Sequence, residues 1–180
     1  MKRSQFTVRD MVNCAISAAL ITICAWICVP VLQVSFTMQT FAVFFILSLL
    51  GGRCGFLSVL LYLLLGAVGL PVFSGFQGGI GALLGVTGGY IWGFLAAALI
   101  YWIVSALLGD RLTVRLPASV LGMILCYACG TAWYQHAYAQ NSLWTVIATC
   151  VVPYILSDAV KIALALYLAD RIKKALPKHP

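Results

Sequence analysis

The chain of 180 residues contains no glutamate. Its acidic complement is four aspartates, and charged residues make up only 8% of it. A water-soluble domain carries roughly 25% charged residues, so an ordinary solvated surface is excluded. Signatures of common chemistries are missing too. No GxxxxGK[ST] occurs, which excludes a nucleotide-driven motor on this chain. There is no cluster of histidines and carboxylates to hold a catalytic metal, and no Ser–His–Asp or Cys–His arrangement in a workable context. The glycine-rich run from Gly79 to Gly85 has neither the preceding strand nor the spacing of a dinucleotide loop. No enzyme activity, catalytic residue, cofactor or metal is expected.

What the sequence has in abundance is apolar length. Hydrophobic residues are 63% of the chain and its mean hydropathy is +1.06. Runs near the roughly 20 residues of a membrane span recur throughout. The reading is an all-α membrane protein, a single integral substrate-binding domain over 1–180 with six transmembrane helices. The helices are expected over 10–29, 38–50, 54–68, 80–108, 118–134 and 143–175. Pro30 ends the first, Gly51-Gly52-Arg53 turns the second into the third, and Gly69-Leu70-Pro71 stops the third. Residues 109–117 and 135–142 read as loops, and Pro153 interrupts the last helix. The first apolar segment is too long, and too much part of this pattern, for a cleaved signal peptide.

A net charge of +7 could suggest nucleic acid. Its placement argues for a membrane instead. With the N-terminus inside, the inner segments hold ten of the eleven Lys and Arg residues, and the outer connections hold none. That is the positive-inside pattern, and it puts both termini in the cytoplasm of a multi-pass cytoplasmic-membrane protein.

The eleventh cation is Lys161. It stands three residues after Asp158 inside the last apolar segment, on the same face of a helix. Asp158 lies roughly 18 Å from the inner interface near Asp170. Ionised groups at that depth are costly and mark function by default. Pro153 nearby and the irregular glycine-rich stretch 71–89 favour a cavity on the outer side, with Phe73, Phe76, Tyr90 and Tyr154 around the pair. Gln39 and Thr87 are either helix–helix hydrogen bonds or ligand contacts, and Gly85 belongs to the irregular start of the fourth helix. Such a pocket suits a small molecule with N–H donors, an acceptor or anionic group, and an apolar body. The competing reading is a self-satisfied ion pair that only fixes helix register in a structural membrane protein.

Small residues supply two further features. Ala15 and Ala19 form a smooth face on the first helix, and Gly81, Gly85, Gly89, Gly93 and Ala97 recur every four residues. Of the seven cysteines, Cys126 and Cys129 make a CxxC without a second pair, which reads as packing rather than a zinc site.

Several motifs together resemble the BioY family, the biotin-binding S components of energy-coupling-factor (ECF) vitamin transporters. They are Thr37-Met38-Gln39-Thr40, Leu50-Gly51-Gly52-Arg53, Tyr62 through Phe73, Gly85-Val86-Thr87-Gly88-Gly89-Tyr90, and Pro153 through Lys161. The chain departs from the family pattern at Ser35, Val86 and Tyr154, none of which removes a charged or hydrogen-bonding group. The resemblance implies six membrane helices, an outward-facing vitamin pocket, and Asp158 and Lys161 as ligand contacts. It also implies partners: biotin, a transmembrane coupling subunit, and two cytoplasmic ATPase subunits. Ala15 and Ala19 are then the candidate docking face. A lone ion-coupled secondary transporter of a small carboxylate-bearing metabolite is the alternative.

Overall fold

The computed structural model describes residues 7–29, 35–138 and 142–175. The sequence expectations for Lys2, Arg3, Pro30, the connection 31–34 and Lys178 lie outside the described residues, as does part of the 135–142 connection.

Helix α1 (Val8–Trp26) starts where Thr7 and Asp10 close a reciprocal cap: Thr7 N donates to Asp10 Oδ2 at 2.9 Å and Asp10 N to Thr7 Oγ1 at 3.3 Å. Its buried face is Cys14, Ala18, Ile21 and Ala25, at helical spacing, while Ala15 and Ala19 are exposed. The helix ends three residues before the expected 29. Cys28–Val29 (β1) instead pairs antiparallel with Phe36–Thr37 (β2), with Cys28 opposite Thr37 and Val29 opposite Phe36.

Helix α2 (Gln39–Leu50) is apolar nearly all round, with Ala42, Val43, Phe44, Ile46 and Leu47 sealed in the core. A helix of that kind is kept from water by protein or by lipid. α3 (Gly52–Ala67) follows after one glycine. The third expected stop is met at Gly69 and Pro71, and the chain then makes a 3-10 turn at Ser74–Phe76.

Further boundaries differ from the sequence reading at the fourth helix and at the loop after it, while the last segment is interrupted beside Pro153 as expected. The fourth helix breaks into a single turn, α4 (Ile80–Leu83), and α5 (Gly88–Leu108). The glycine ridge therefore acts as one only from Gly89 onward. There α5 lies so close to α6 that a Cβ at Gly93 would stand 2.9 Å from the Cys126 carbonyl oxygen, and one at Gly89 would overlap Trp133. The loop expected over 109–117 is mostly helix, because α6 runs Leu112–Ala137 with Pro117 inside it. Pro117 is the sixth residue of α6, past the four N–H groups that lack a helical acceptor, so the helix forgoes the one bond that position would give to the Thr113 carbonyl. The last segment is α7 (Leu143–Cys150) and α8 (Val152–Ala175), parted at Val151 just before Pro153.

α5 packs along α6, α8 packs on α2, and α3 lies between α1 and α5. Among the described residues four helices, α1, α5, α6 and α8, are long and apolar enough to cross a membrane; α2 and α3 are shorter apolar helices. Large apolar side chains such as Val68, Leu107, Trp144 and Leu156 point outward, as expected of surface facing lipid rather than water. One end of the bundle is polar. Asp10, Arg53 and Asp110 line one hollow there, and Lys173 of α8 pairs with Asp110. The start of α1, the α2–α3 and α5–α6 turns and the end of α8 thus share one end.

Candidate functional site

Toward the other end, α8 brings Asp158 and Lys161 inward; they are only 5% and 6% exposed. Lys161 Nζ donates to Asp158 Oδ1 at 2.9 Å and to the Thr37 carbonyl at 2.8 Å, and it lies 3.8 Å from the centroid of the Phe36 ring. Tyr127 Oη of α6 donates to the second carboxylate oxygen, Asp158 Oδ2, at 2.6 Å. Charges removed from water are tolerable only when paired and hydrogen-bonded, and both conditions are met. The pair is neutral in sum, yet it offers an acceptor and a donor side by side.

A cavity with about 60 Å³ of free space adjoins the pair. α8 gives it Tyr154, Asp158 and Lys161; α2 gives Gln39 and Thr40; α5 and the residue before it give Tyr90 and Thr87. Gln39 is held by its Nε2 donating to Tyr62 Oη at 2.9 Å, and Tyr90 Oη donates to the Cys150 carbonyl at 3.4 Å. That carbonyl ends α7, so the helix break leaves an acceptor for Tyr90. At Ser35, Ser74 and Thr87 the cavity meets a wider outer hollow bordered by Trp26, Phe76 and Gly85.

Six of the nine residues placed at the ligand site from the sequence therefore meet around one cavity: Asp158, Lys161, Tyr90, Thr87, Gln39 and Tyr154. Three stand elsewhere. Phe76 is exposed on the wider hollow, its ring 4.9 Å from that of Trp26. Phe73 is sealed in the core, with its ring 5.4 Å from that of Tyr62 and pressed on Gly66. Gly85 borders the outer hollow, where its carbonyl accepts from Trp133 Nε1 at 3.1 Å. Ala15 and Ala19 lie on α1, away from the cavity.

Sequence reasoning missed Tyr127, Phe36 and Thr37 as site residues. Tyr127 sits between the cysteines of the CxxC, in the middle of a long helix and far from an interfacial belt. A mid-span tyrosine needs a buried partner for its hydroxyl, and that was the available signal. Thr37 acts through its backbone carbonyl, which carries no sequence signature. Tyr127→Phe removes one charge-assisted hydrogen bond, of about 1.5–3 kcal/mol. A ten- to hundred-fold loss of ligand affinity is expected, roughly, with the fold retained by circular dichroism.

The cavity supplies positioning groups rather than a reactive centre. Among the described residues no group of three or more His, Cys, Asp or Glu is placed to hold a metal, and the cysteines are free thiols. What the cavity can do is hold a small molecule through paired acceptor and donor groups against tyrosine rings.

Comparison with known proteins agrees. The model of the BioY family matches residues 1–178. The biotin transporter BioY of Thermotoga maritima is 36% identical over 167 residues, covering 93% of this chain and 97% of that one. A probable biotin transporter BioY from Pyrococcus horikoshii is 40% identical over 159 residues, covering 88% and 93%. Among solved structures, the 2.1 Å crystal structure of the S-component for biotin from an ECF-type ABC transporter superposes with a TM-score of 0.83 at 25% identity, covering 93% of this chain and 92% of that one. This multi-pass membrane protein belongs to the BioY family, and so to transport proteins rather than enzymes.

Proposed function

We propose that the chain captures biotin at the outer face of the cytoplasmic membrane, as the substrate-binding subunit of an ECF-type ABC transporter. The observation that carries this reading is the buried Tyr127–Asp158–Lys161 group beside a tyrosine-lined cavity. Biotin has the matching chemistry: ureido N–H groups for a carboxylate, a ureido carbonyl and a carboxylate tail for an ammonium, and an apolar bicycle for the rings. The names of the relatives point to the same ligand. The cavity opens at Ser35, Ser74 and Thr87 into the wider hollow, which gives the rest of the ligand its room and its way in.

The topology proposed is a single domain over 1–180 with six spans, both termini cytoplasmic. α1, α2, α3, α5, α6 and the α7–α8 pair are the six. α2 is about 18 Å long; being buried, it meets little lipid, and β2 leads directly into it. The polar end with Asp10, Arg53, Asp110 and Lys173 is the cytoplasmic one.

The partners proposed are a transmembrane coupling subunit and two cytoplasmic ATPases, with Ala15 and Ala19 on the docking face of α1. Their exposure on an otherwise apolar face supports this. Ala15→Trp is expected to abolish co-purification with the coupling subunit while the biotin Kd stays within about two-fold; unchanged co-purification would remove α1 from the interface.

The deciding experiment is equilibrium binding of biotin to the purified, detergent-solubilised chain, without partner or nucleotide. Tight binding is expected. A folded protein that ignores biotin, yet moves a small carboxylate in vesicles under a proton or sodium gradient, would establish the ion-coupled alternative.

A further inference from the structure

The ligand group has a twin at the opposite end of the same helices. Arg115 of α6 is 4% exposed. Its Nη1 donates to Ser48 Oγ of α2 at 3.0 Å and its Nη2 to Asp170 Oδ1 of α8 at 2.9 Å. Asp110, in the turn before α6, is 3.7 Å from its Nε. The ligand group joins the same elements: Tyr127 on α6, Asp158 and Lys161 on α8, and the Thr37 carbonyl at the approach to α2. Arg115 and Tyr127 are twelve residues apart on α6, and Asp158 and Asp170 are twelve apart on α8. The two helices run antiparallel, so the two ties are rungs of equal spacing, roughly 18 Å apart.

The packing gives these rungs their leverage. α6 rests mainly on α5 and α8 mainly on α2, and α6 and α8 touch each other little. Sliding one past the other by a helical turn, about 5.4 Å, would part both rungs. We propose that Arg115 is a positioning residue for the ligand site: its fork fixes the register of α6 against α8 and α2, and so delivers Tyr127 Oη to Asp158. Arginine suits the task because one rigid planar group donates to two helices at once, which a lysine cannot reproduce.

The inference rests on the cavity being the ligand site, but its test needs no ligand. Protein carrying tyrosine labelled with carbon-13 at the phenol carbon is compared by NMR in detergent, with the Tyr127 signal assigned by its loss in Tyr127→Phe. Arg115→Lys and Asp170→Asn are expected to move that signal toward its position in Asp158→Asn, where the carboxylate bond is gone. Asp10→Asn, at the same end but on α1, is expected to leave it in place. An unmoved signal in Arg115→Lys and Asp170→Asn overturns the proposal. So does equal movement in all three variants, which would mean general loosening. If Arg115→Lys fails to fold, Ser48→Ala removes one arm of the fork and keeps both charges; a smaller shift in the same direction is then expected, and none overturns it. Biotin affinity adds a second readout. Residues this far apart with no shared partner combine to within about two-fold, so Arg115→Lys with Tyr127→Phe is expected to depart further than that from the product of the single effects. Failure of the wild type to bind biotin would instead sink the binding reading and leave the NMR result standing.

Discussion

Lys161→Met is expected to cut biotin affinity by about thirty-fold to several thousand-fold. That is the 2–5 kcal/mol typical of losing one partner of a buried, hydrogen-bonded charge pair. The substitution also strands Asp158, which is 5% exposed and keeps only Tyr127 of its two recorded donors. Stability is therefore expected to fall by about 3–5 kcal/mol, enough to confuse a binding result. The double variant Asp158→Asn/Lys161→Met separates the two effects. With both charges gone, the desolvation cost disappears along with the attraction, and neutral replacements of such pairs are often as stable as the original. The expected outcome is a double variant that unfolds close to wild type yet binds no biotin. Retained affinity there would make Asp158–Lys161 a register pin and nothing more.

Gly93→Ala is expected to destabilise the protein by about 1–3 kcal/mol, measured by unfolding in detergent. Its Cβ would stand 2.9 Å from both the carbonyl oxygen and Sγ of Cys126. Relief requires α5 and α6 to separate, because the obstruction is backbone as well as side chain. Cys126 precedes Tyr127, and Tyr90 lies one turn before Gly93, so biotin affinity is expected to fall as well. Gly81 has the same place in the four-residue repeat. A Cβ there meets nothing within 4 Å, and Gly81→Ala is expected to stay within about 0.5 kcal/mol of wild type. Helix propensity favours alanine over glycine at both positions, by up to about 1 kcal/mol, so equal effects at the two would mean that close approach costs nothing at Gly93.

That contrast also shows how far sequence carried. The repeat from Gly81 to Ala97 is uniform on paper, but only the part inside α5 faces another helix. Spacing reports which residues share a face and not where the helix begins. The buried Asp158–Lys161 pair was legible because charge inside an apolar run has few innocent explanations. Thr87, Tyr90 and Tyr154 followed from their place near glycine or proline irregularities, and Gln39 from being a polar side chain at the entrance of an apolar helix. Phe73 looked like their companion, being an aromatic in an uncharged loop, yet the absent side chain of Gly66 draws its ring into the core. Arg115 read as one of the cations of the loop expected over 109–117. What decided its burial was the presence of Ser48 and Asp170 on two other helices, 67 and 55 residues away. Long-range partners of that kind, like the carbonyl of Thr37, leave no local trace.

The two-residue ladder between Cys28–Val29 and Phe36–Thr37 has a consequence for timing. So short a hairpin is marginal alone, and Lys161 adds a tether by holding the Thr37 carbonyl. The ammonium has three protons and gives one each to Asp158 and Thr37, so a third is left for an acceptor in the cavity. An acceptor can then reach Lys161 while the tether holds, whereas losing the ammonium frees the ladder: in Lys161→Met the amides of Cys28–Val29 and Phe36–Thr37 are expected to exchange hydrogen faster than in wild type.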